Sequence, residues 1–227
     1  MTVLRGVSQN ENVWIKRFDP QSRLITGALY VFLKRGMDLL LVTLGSPVWV
    51  PMFCVIALLI WISAPGAPVL FSQLRTGKGG KRFPMYKFRT MVPNAEKLKA
   101  EYAHLNELKW PDFKITNDPR VTFIGRILRK TSLDELPQLL NVLRKDMSLV
   151  GPRPTSFGAE TYQLWHTERL DVIPGMTGLW QIEGRGRLEF DQRLRLDIAY
   201  IERASLWLDT VILFRTITAI FKQRGAH

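Results

Sequence analysis

One segment dominates the pattern of apolar and polar positions along the chain. No Asp, Glu, Lys or Arg occurs from Leu39 to Leu74, and Leu39–Ile62 is almost wholly apolar. About 20 apolar residues suffice for a helix to cross the hydrocarbon core of a bilayer. The alternative, a buried core helix of a soluble protein, rarely has so long an uncharged run. The segment starts too late and lacks the cleavage site of a secretory signal. We therefore predict a membrane helix.

Prolines interrupt this run at Ser46-Pro47 and again at Pro51. Proline removes a backbone hydrogen bond from a helix, and a nearby serine hydroxyl can bond a freed carbonyl. Both ends of the run are basic, so the charges give a spanning helix no preferred orientation: Arg17, Arg23, Lys34 and Arg35 precede it, and Arg75, Lys78, Lys81 and Arg82 follow it. A helix that bends at Ser46-Pro47 and returns to the same leaflet keeps both flanks in the cytoplasm. We favour this re-entrant helix-break-helix over residues 34–63, with a kinked span as the alternative.

The rest of the chain shows shorter patterns on either side of the membrane segment. Residues 1–33 are predicted to be an N-terminal arm. Val69–Leu74 and Arg82–Met91 predict a β-hairpin around a glycine-rich turn that lacks the spacing of a phosphate loop. Helical patterns cover residues 94–109, 121–130, 136–147, 157–170 and 189–203. The sequence therefore predicts an α+β fold that is mainly helical, with a membrane-associated cytosolic domain over residues 64–227.

The last apolar stretch, Ser205–Phe221, carries Asp209 and Arg215 in its middle. Charges inside a spanning helix cost several kcal/mol. An interfacial amphipathic helix with Trp207 at the level of the lipid headgroups avoids most of this cost, and we predict that form.

The chain is strongly basic, with 32 Lys and Arg against 20 Asp and Glu, a net charge of +12. Such a charge points to polyanionic partners: nucleic acid, anionic lipid or a phosphorylated substrate. A single cysteine, Cys54, excludes an intramolecular disulfide and a cysteine-built metal site. The charge alone is compatible with a non-catalytic, membrane-anchored basic protein, whereas clustered carboxylates and arginines would favour an enzyme acting on phosphates.

The strongest candidate for chemistry is the adjacent pair Asp134 and Glu135, which lies among basic residues. A structural explanation exists, because Ser132-x-x-Glu135 has the spacing of a helix capping box. The functional alternative is that Asp134 attacks a phosphate whose oxygens are neutralised by cations and Mg²⁺, while Glu135 helps to hold the metal. A helix N-terminus at this point would add positive potential.

Basic residues in two other motifs are suited to phosphate binding. Arg153 stands between Pro152 and Pro154, whose fixed φ angles present its guanidinium from a stiff backbone. A plain rigid loop explains the same prolines. In the strand YKFRT, alternation places Lys87 and Arg89 on one face. Pro174–Gln181 followed by GRGR, which includes Arg185, is a weaker signal, because tight turns also explain its glycines.

Taken together, these motifs resemble the bacterial sugar transferase family, the monotopic phosphoglycosyl transferases that start glycan assembly on polyprenyl phosphate. The resemblance covers about residues 34–227 and rests on six segments in the same order and spacing: KRGMDLLL (34–41), Ser46-Pro47, YKFRTM (86–91), TNDPRVTFIGRILRKTSLDELPQLLNVL (116–143), DMSLVGPRP (146–154) and PGMTGLWQ (174–181). One departure is Glu183, where the family often has Ser or Asn, which puts nucleotide or sugar contacts of that loop, Arg185 included, in question.

The resemblance implies a re-entrant helix bent at Ser46-Pro47 and a ping-pong reaction. Asp134 would take a sugar phosphate, in this chain a hexose phosphate, from a UDP-sugar with release of UMP, and undecaprenyl phosphate would then accept it. Glu135 would act beside Asp134 at a required Mg²⁺, and Arg129 and Arg153 match arginines near the phosphates. The implied partners are the UDP-sugar, undecaprenyl phosphate and membrane lipid, not nucleic acid, and the oligomeric state, a homodimer included, stays open. The implied location is the bacterial inner membrane, with the catalytic domain on its cytoplasmic face.

Overall fold

The computed structural model describes residues 14–107, 115–183 and 188–222. Its longest element is the helix α1 (Gly27–Ser63), which starts seven residues before the predicted membrane segment. Within the described ranges, α1 is the one helix that is long and apolar enough to cross a membrane. The backbone stays helical through Ser46, Pro47 and Pro51. The helix is therefore continuous at Ser46-Pro47, where the sequence predicted an interruption. The re-entrant path stays a prediction.

The described chain divides into two compact units. Unit 1 contains its residues within Met1–Leu44, Gln73–Met85 and Gln138–His227, and unit 2 contains Gly45–Ser72 and Tyr86–Pro137. The division inside α1 falls between Leu44 and Gly45, next to Ser46-Pro47. The two halves of the apolar helix therefore belong to different units.

Unit 1 is built mainly on two helices, α5 (Phe190–Arg203) and α6 (Leu206–Lys222). With α4 (Leu179–Glu183) they enclose a core that includes Ile15, Val150, Leu196, Leu208 and Ile212. Both long helices agree with the sequence pattern. Residues 14–25, which were predicted to be part of an arm, contribute Ile15 to this core as a fully buried side chain.

A short parallel sheet in unit 1 was missed by the sequence analysis. The strands β3 (Ser148–Val150) and β4 (Gly175–Thr177) pair in parallel, with Ser148 opposite Gly175 and Val150 opposite Thr177. A Cβ atom on Gly175 would lie 2.1 Å from the backbone nitrogen of Gly151. The glycines of the PGMTG motif therefore serve close backbone packing rather than a tight turn.

The motif KRGMD at the start of the apolar run anchors the first half of α1 within unit 1. Asp38 accepts hydrogen bonds from Ser148 Oγ at 2.7 Å and from the backbone N–H of Leu149 at 3.2 Å. Lys34 Nζ pairs with Asp209 at 2.8 Å, and Arg35 donates to the carbonyl of Val142 at 2.7 Å. Two of the cations that we counted as membrane flanks thus have internal partners, which weakens the charge argument for the re-entrant path.

The β-hairpin predicted after α1 is confirmed. Its strands β1 (Leu70–Thr76) and β2 (Arg82–Phe88) form a two-stranded sheet, and the turn between them contains a 3₁₀ turn at Lys78–Gly80. In unit 2, Phe88 at the end of β2 packs against the second half of α1, where its ring lies 4.8 Å from that of Phe53. Ile56, Ile60 and Leu128 complete this core.

Two predicted helices are wrong. Residues 94–109 contain only 3₁₀ turns at Lys97–Lys99 and Ala103–Leu105 up to residue 107, and residues 108–109 lie outside the described chain. Residues 157–170 contain 3₁₀ turns at Ala159–Thr161 and Leu164–Asp171. The helices predicted over 121–130 and 136–147 exist as α2 (Phe123–Thr131) and α3 (Gln138–Leu143), and the second is much shorter than predicted.

Candidate active site

The turn that carries Asp134 and Glu135 follows directly from the end of α2. Ser132 adopts the left-handed conformation (φ 58°, ψ 15°), and its N–H donates to the carbonyl of Arg129 at 3.2 Å. A residue in this conformation is a common way to end a helix. The chain then forms a 3₁₀ turn over Leu133–Glu135, and Leu136 follows it. Leu133 and Leu136 pack against the core of unit 2, which fixes the two acidic residues between them.

The capping box considered for Ser132 and Glu135 does not form. The Ser132 side chain makes no capping hydrogen bond to the turn, and Glu135 Oε1 instead accepts from Lys87 Nζ at 2.8 Å. Helix α3 begins only at Gln138, so Asp134 and Glu135 do not occupy the first turn of an α-helix. The positive potential at the pair comes from side chains rather than from the predicted helix N-terminus.

Lys87, near the end of β2, bridges both carboxylates. Its Nζ lies 2.8 Å from Glu135 Oε1 and 3.5 Å from Asp134 Oδ2. The side chains of Asp134 and Glu135 are only 12% and 18% exposed, so water screens the ion pairs incompletely. The structure therefore brings Lys87 of one motif together with the acidic pair of another, within unit 2.

Arg129 belongs to the same neighbourhood through α2. Its Nε donates to Thr90 Oγ1 at 2.9 Å. Partial desolvation lowers the pKa of Arg129, and the negative charge of Asp134 opposes this change. Arg129 is thus a second cation, held by Thr90, whose charge acts on Asp134.

Helix α2 approaches the end of the hairpin closely at Gly125. A Cβ atom there would lie 2.0 Å from the carbonyl oxygen of Thr90, so only glycine fits. The Thr122 N–H donates to the same oxygen at 3.0 Å, and the Thr122 hydroxyl caps α2 by accepting from the Gly125 N–H. This contact sets the position of α2, and hence of Arg129 and the acidic turn that follows it.

Arg89, predicted to share a face with Lys87, has a different environment. Strand β2 ends at Phe88, so the alternation stops before Arg89. Its guanidinium is buried and donates to the carbonyl of Ile60 at 3.2 Å, in the last turn of α1, where carbonyls lack helical partners. Burial lowers the pKa of Arg89. The structure gives Arg89 a helix-capping contact, and its role in phosphate binding stays a prediction.

A buried ion pair in the TNDPR segment was missed by the sequence analysis. Asp118 Oδ2 accepts from Arg120 Nη2 at 2.7 Å, and both side chains are nearly inaccessible. Hydrogen bonding from Arg120 lowers the pKa of Asp118. The i, i+2 spacing of the two residues within a turn was the only available signal. The pair fixes the loop before α2.

Two further predicted phosphate ligands do not belong to the described part of unit 2. Arg153 belongs to unit 1, where its backbone carbonyl accepts from Arg169 Nη2, which also pairs with Asp197 at 2.8 Å. Arg185 lies outside the described residues. The roles of both stay predictions.

The chemistry of the acidic pair suits a hard divalent cation supplied with a substrate. Mg²⁺ is often bound by one or two carboxylates together with substrate phosphates and water. In the described ranges, no group of three or more His, Cys, Asp or Glu side chains could hold a metal on its own. Asp134 and Glu135 therefore fit a shared, substrate-dependent site better than a complete protein cage.

The sequence model of one known family, described as bacterial sugar transferase, matches residues 29–223. The chain belongs to the bacterial sugar transferase family. This confirms the resemblance inferred from the motifs.

Several curated relatives of this family align with most of the chain. The undecaprenyl-phosphate galactose phosphotransferase of Salmonella typhimurium is 42% identical over 207 residues, which cover 86% of this chain and 42% of that protein. The UDP-glucose:undecaprenyl-phosphate glucose-1-phosphate transferase of Escherichia coli is 39% identical over 209 residues, or 86% and 41%. The exopolysaccharide production protein ExoY of Rhizobium meliloti is 39% identical over 199 residues, or 86% and 88%. The chain thus spans less than half the length of the first two relatives and most of the third.

Proposed function

We propose that this bacterial sugar transferase moves a hexose 1-phosphate from a UDP-hexose to undecaprenyl phosphate and releases UMP. The observation that carries the proposal is the partly buried pair Asp134 and Glu135 bridged by Lys87, with Arg129 held nearby by Thr90. The names of the relatives from Salmonella typhimurium and Escherichia coli support the choice of undecaprenyl phosphate as acceptor and of a hexose as the sugar.

In the first step, an Asp134 carboxylate oxygen attacks the phosphorus that bears the sugar. The bond from this phosphorus to the bridging oxygen breaks, and UMP leaves with the electron pair, which joins Asp134 to the sugar phosphate as an acyl phosphate. In the second step, a phosphate oxygen of undecaprenyl phosphate attacks the same phosphorus. The Asp134 carboxylate is then restored, and the undecaprenyl diphosphate sugar leaves.

The distances favour Asp134 over Glu135 as the nucleophile. Lys87 Nζ lies closer to Glu135 (2.8 Å) than to Asp134 (3.5 Å), and a closely paired carboxylate is a weaker nucleophile. Lys87 offsets the negative charge of the pair and orients it, while Arg129 offsets negative charge near the reacting phosphorus. Asp134 and Glu135 would hold Mg²⁺, which when bound supplies further neutralisation of phosphate charge.

The chemical proposal is tested with Asp134→Asn. Release of UMP from a UDP-hexose should fall to background, because an amide cannot form the acyl phosphate, and label from the sugar-bearing phosphate should no longer be trapped on the protein. The control is Glu96→Gln, a carboxylate that is 86% exposed, which should retain wild-type turnover. Near-normal turnover of Asp134→Asn, or a trapped label on another residue, would exclude the mechanism. Chelation of divalent metal should also stop UMP release.

We propose further that α1 enters the cytoplasmic leaflet of the inner membrane and returns, with its bend at Ser46-Pro47. Pro47 and the absence of a charge difference between the two ends of the run support this path, although Lys34 and Arg35 no longer count toward it, and the boundary between the units falls beside the same residues. Single cysteines replacing Gln21 and Lys97 in a Cys54→Ser background test it. Both should react with an impermeant reagent from the cytoplasmic side. Reaction from opposite sides would establish a span.

A further inference from the structure

A groove in unit 1 lies beside the start of the membrane helix. It has a volume of about 630 Å³ and is formed by residues from Trp14 to Ile25 together with the first turns of α6. Its wall is well fixed, because Ile15 is fully buried and Trp14 Nε1 donates to Glu183. The guanidinium of Arg215 lies 4.0 Å from the centre of the Trp14 ring. Glu183, the residue that departs from the family pattern, therefore holds the wall of this groove.

The charges that line the groove are predominantly positive: Arg17, Arg23, Arg203 and Arg215 face a single carboxylate, Asp19. Arg203 pairs with Glu202 at 2.7 Å, and Arg215 lies 3.8 Å from Glu183. Across the described ranges, no carboxylate pairs with Arg17 or Arg23. Arg23 Nε donates to the carbonyl of Pro20 at 2.8 Å, which orients its guanidinium. Two arginines thus remain to bind an anion from outside the protein.

The rim of the groove is apolar as well as basic. Leu24 is 100% exposed and Trp207 is 67% exposed. The exposed apolar surface continues from this rim along α1, which begins only two residues after Ile25, and along α6: Leu29 and Phe32 are exposed on the first helix, Phe214 and Ile217 on the second. Exposed apolar side chains beside arginines, with a tryptophan among them, are typical of protein surfaces that lie in the headgroup region of a bilayer.

We propose that this groove is a docking surface for anionic phospholipid headgroups, separate from the catalytic carboxylates. Arg17 and Arg23 bind lipid phosphates, while Leu24 and Trp207 enter the boundary between headgroups and acyl chains. The inference rests on the proposed membrane location of α1, and it assigns to residues 14–25 the function of fixing unit 1 against the lipid surface. Each arginine contributes about 1 kcal/mol near an anionic surface, or about fivefold in the docking equilibrium.

The test uses an environment-sensitive fluorophore on single cysteines, in a Cys54→Ser background, with the full chain in lipid nanodiscs. Leu24→Cys and Trp207→Cys report on the groove, Val48→Cys on α1, and Lys97→Cys on an exposed turn of unit 2. With phosphatidylglycerol present, the labels at 24 and 207 should shift to the blue and become shielded from iodide. In pure phosphatidylcholine the effect should be much smaller, while position 48 should be shielded in both lipids and position 97 in neither.

The charge requirement is tested with Arg17→Gln/Arg23→Gln, which should weaken docking by about 25-fold and abolish the shift at 24 and 207. Lys97→Gln/Lys99→Gln removes the same charge elsewhere and should leave the shift intact. Thermal unfolding of each variant checks its fold. Labels at 24 and 207 that stay aqueous while position 48 is shielded would refute the docking surface alone, whereas an exposed position 48 would refute the membrane location of α1. A shift that grows with protein concentration would identify a second copy of the chain as the occupant and overturn the proposal.

Discussion

At the scale of residues, the site depends on the backbone conformation of Ser132, which the sequence pattern did not predict. Ser132-x-x-Glu135 has the spacing of a capping box, yet Ser132 ends α2 in the left-handed region. Glu135 therefore does not cap a helix and instead pairs with Lys87, which lies 48 positions earlier in the chain. Local spacing could identify the acidic pair but not its partner, because that contact depends on how α2 packs against the hairpin.

Lys87 is expected to matter for activity much more than for stability. Lys87→Met leaves two adjacent carboxylates without their bridging cation, so UMP release should fall by about 10²–10³-fold, the usual cost of removing one electrostatic donor from an active site. Lys99→Met is the matched control, because Lys99 is about half exposed and pairs at 3.7 Å with Glu96, a carboxylate that is 86% exposed. Equal turnover of the two variants would remove Lys87 from the mechanism.

Gly125 should be intolerant of even the smallest side chain. In Gly125→Ala the new Cβ meets the Thr90 carbonyl oxygen at 2.0 Å, so α2 must move, at a cost of about 1–3 kcal/mol in the free energy of unfolding. Gly36→Ala is the control within a helix, since no atom beyond its chain neighbours and the local helix backbone lies within 4 Å of its Cβ position, and alanine there should be neutral or slightly stabilising. Thermal midpoints in detergent distinguish the two, and a Gly125→Ala midpoint equal to that of the parent would contradict the contact.

At the scale of elements, the sequence correctly predicted the helices and strands whose apolar residues recur with a clear period. It wrongly predicted helices in two segments where the pattern of charged residues was compatible with a helix. The hairpin, α5 and α6 follow from alternation and from apolar periodicity. Residues 94–107 and 157–170 have helix-compatible charge patterns but form short 3₁₀ turns. The strands β3 and β4 contain three residues each, too few for a period to be recognised, and their pairing joins distant motifs.

Helix α6 shows why a charged residue in an apolar stretch need not lie at the membrane interface. Asp209 is fully buried in unit 1, where it accepts from Lys34 Nζ at 2.8 Å, Tyr30 OH at 2.9 Å and Tyr200 OH at 2.7 Å. The sequence located Asp209 on a helix but did not predict its burial or its partners, since two of them lie on α1. Exposed Trp207 keeps the interfacial prediction open for the opposite side of the helix.

Removing the charge of Asp209 should lower the free energy of unfolding strongly only when Lys34 is still charged. Asp209→Asn leaves a buried ammonium unpaired, and we expect a loss of about 3–5 kcal/mol in the free energy of unfolding. Asp209→Asn combined with Lys34→Met removes both charges and retains an oxygen acceptor for the two tyrosines, so most of the loss should be recovered. A double-mutant cycle measured by denaturant unfolding gives the coupling energy. Additive effects of the two substitutions would show that the ion pair is not a coupled unit.

At the scale of the whole molecule, much of the net charge of +12 is used internally rather than presented to a polyanion. Basic side chains hold backbone carbonyls or carboxylates within each unit: Lys34 and Arg35 at α1, Arg82 at the hairpin, Arg120 before α2 and Arg169 behind the proline-framed loop. The composition therefore suggested a protein that binds phosphate groups, but it could not show which basic side chains bind a ligand and which have partners within the protein. That distinction depends on tertiary contacts, and it leaves little support for a simple polyanion-binding protein.

The buried pair Asp197 and Arg169 in unit 1 predicts a pH dependence of stability. Burial raises the pKa of Asp197 from 3.8 to about 7, although Arg169 and Arg193 oppose the change. Between these pH values the folded protein holds a proton that the unfolded chain has released, so the free energy of unfolding should decrease as pH rises from about 4 to about 7. Asp197→Asn does not titrate and should lose this slope, as measured by thermal midpoints across the range.

Asp118→Asn provides a control, because the pKa of Asp118 is shifted in the opposite direction to that of Asp197. Hydrogen bonding from Arg120 lowers the pKa of Asp118, so its stabilising contribution is present above the unfolded value of 3.8 and is lost only as pH falls through the lower folded value. Between about pH 4 and 7 this variant should therefore be less stable than the parent by a nearly constant amount, with an unchanged slope. A parental slope in Asp197→Asn would mean that Asp197 is ionised throughout this range, and that Arg169 holds the Arg153 carbonyl as part of a permanent ion pair.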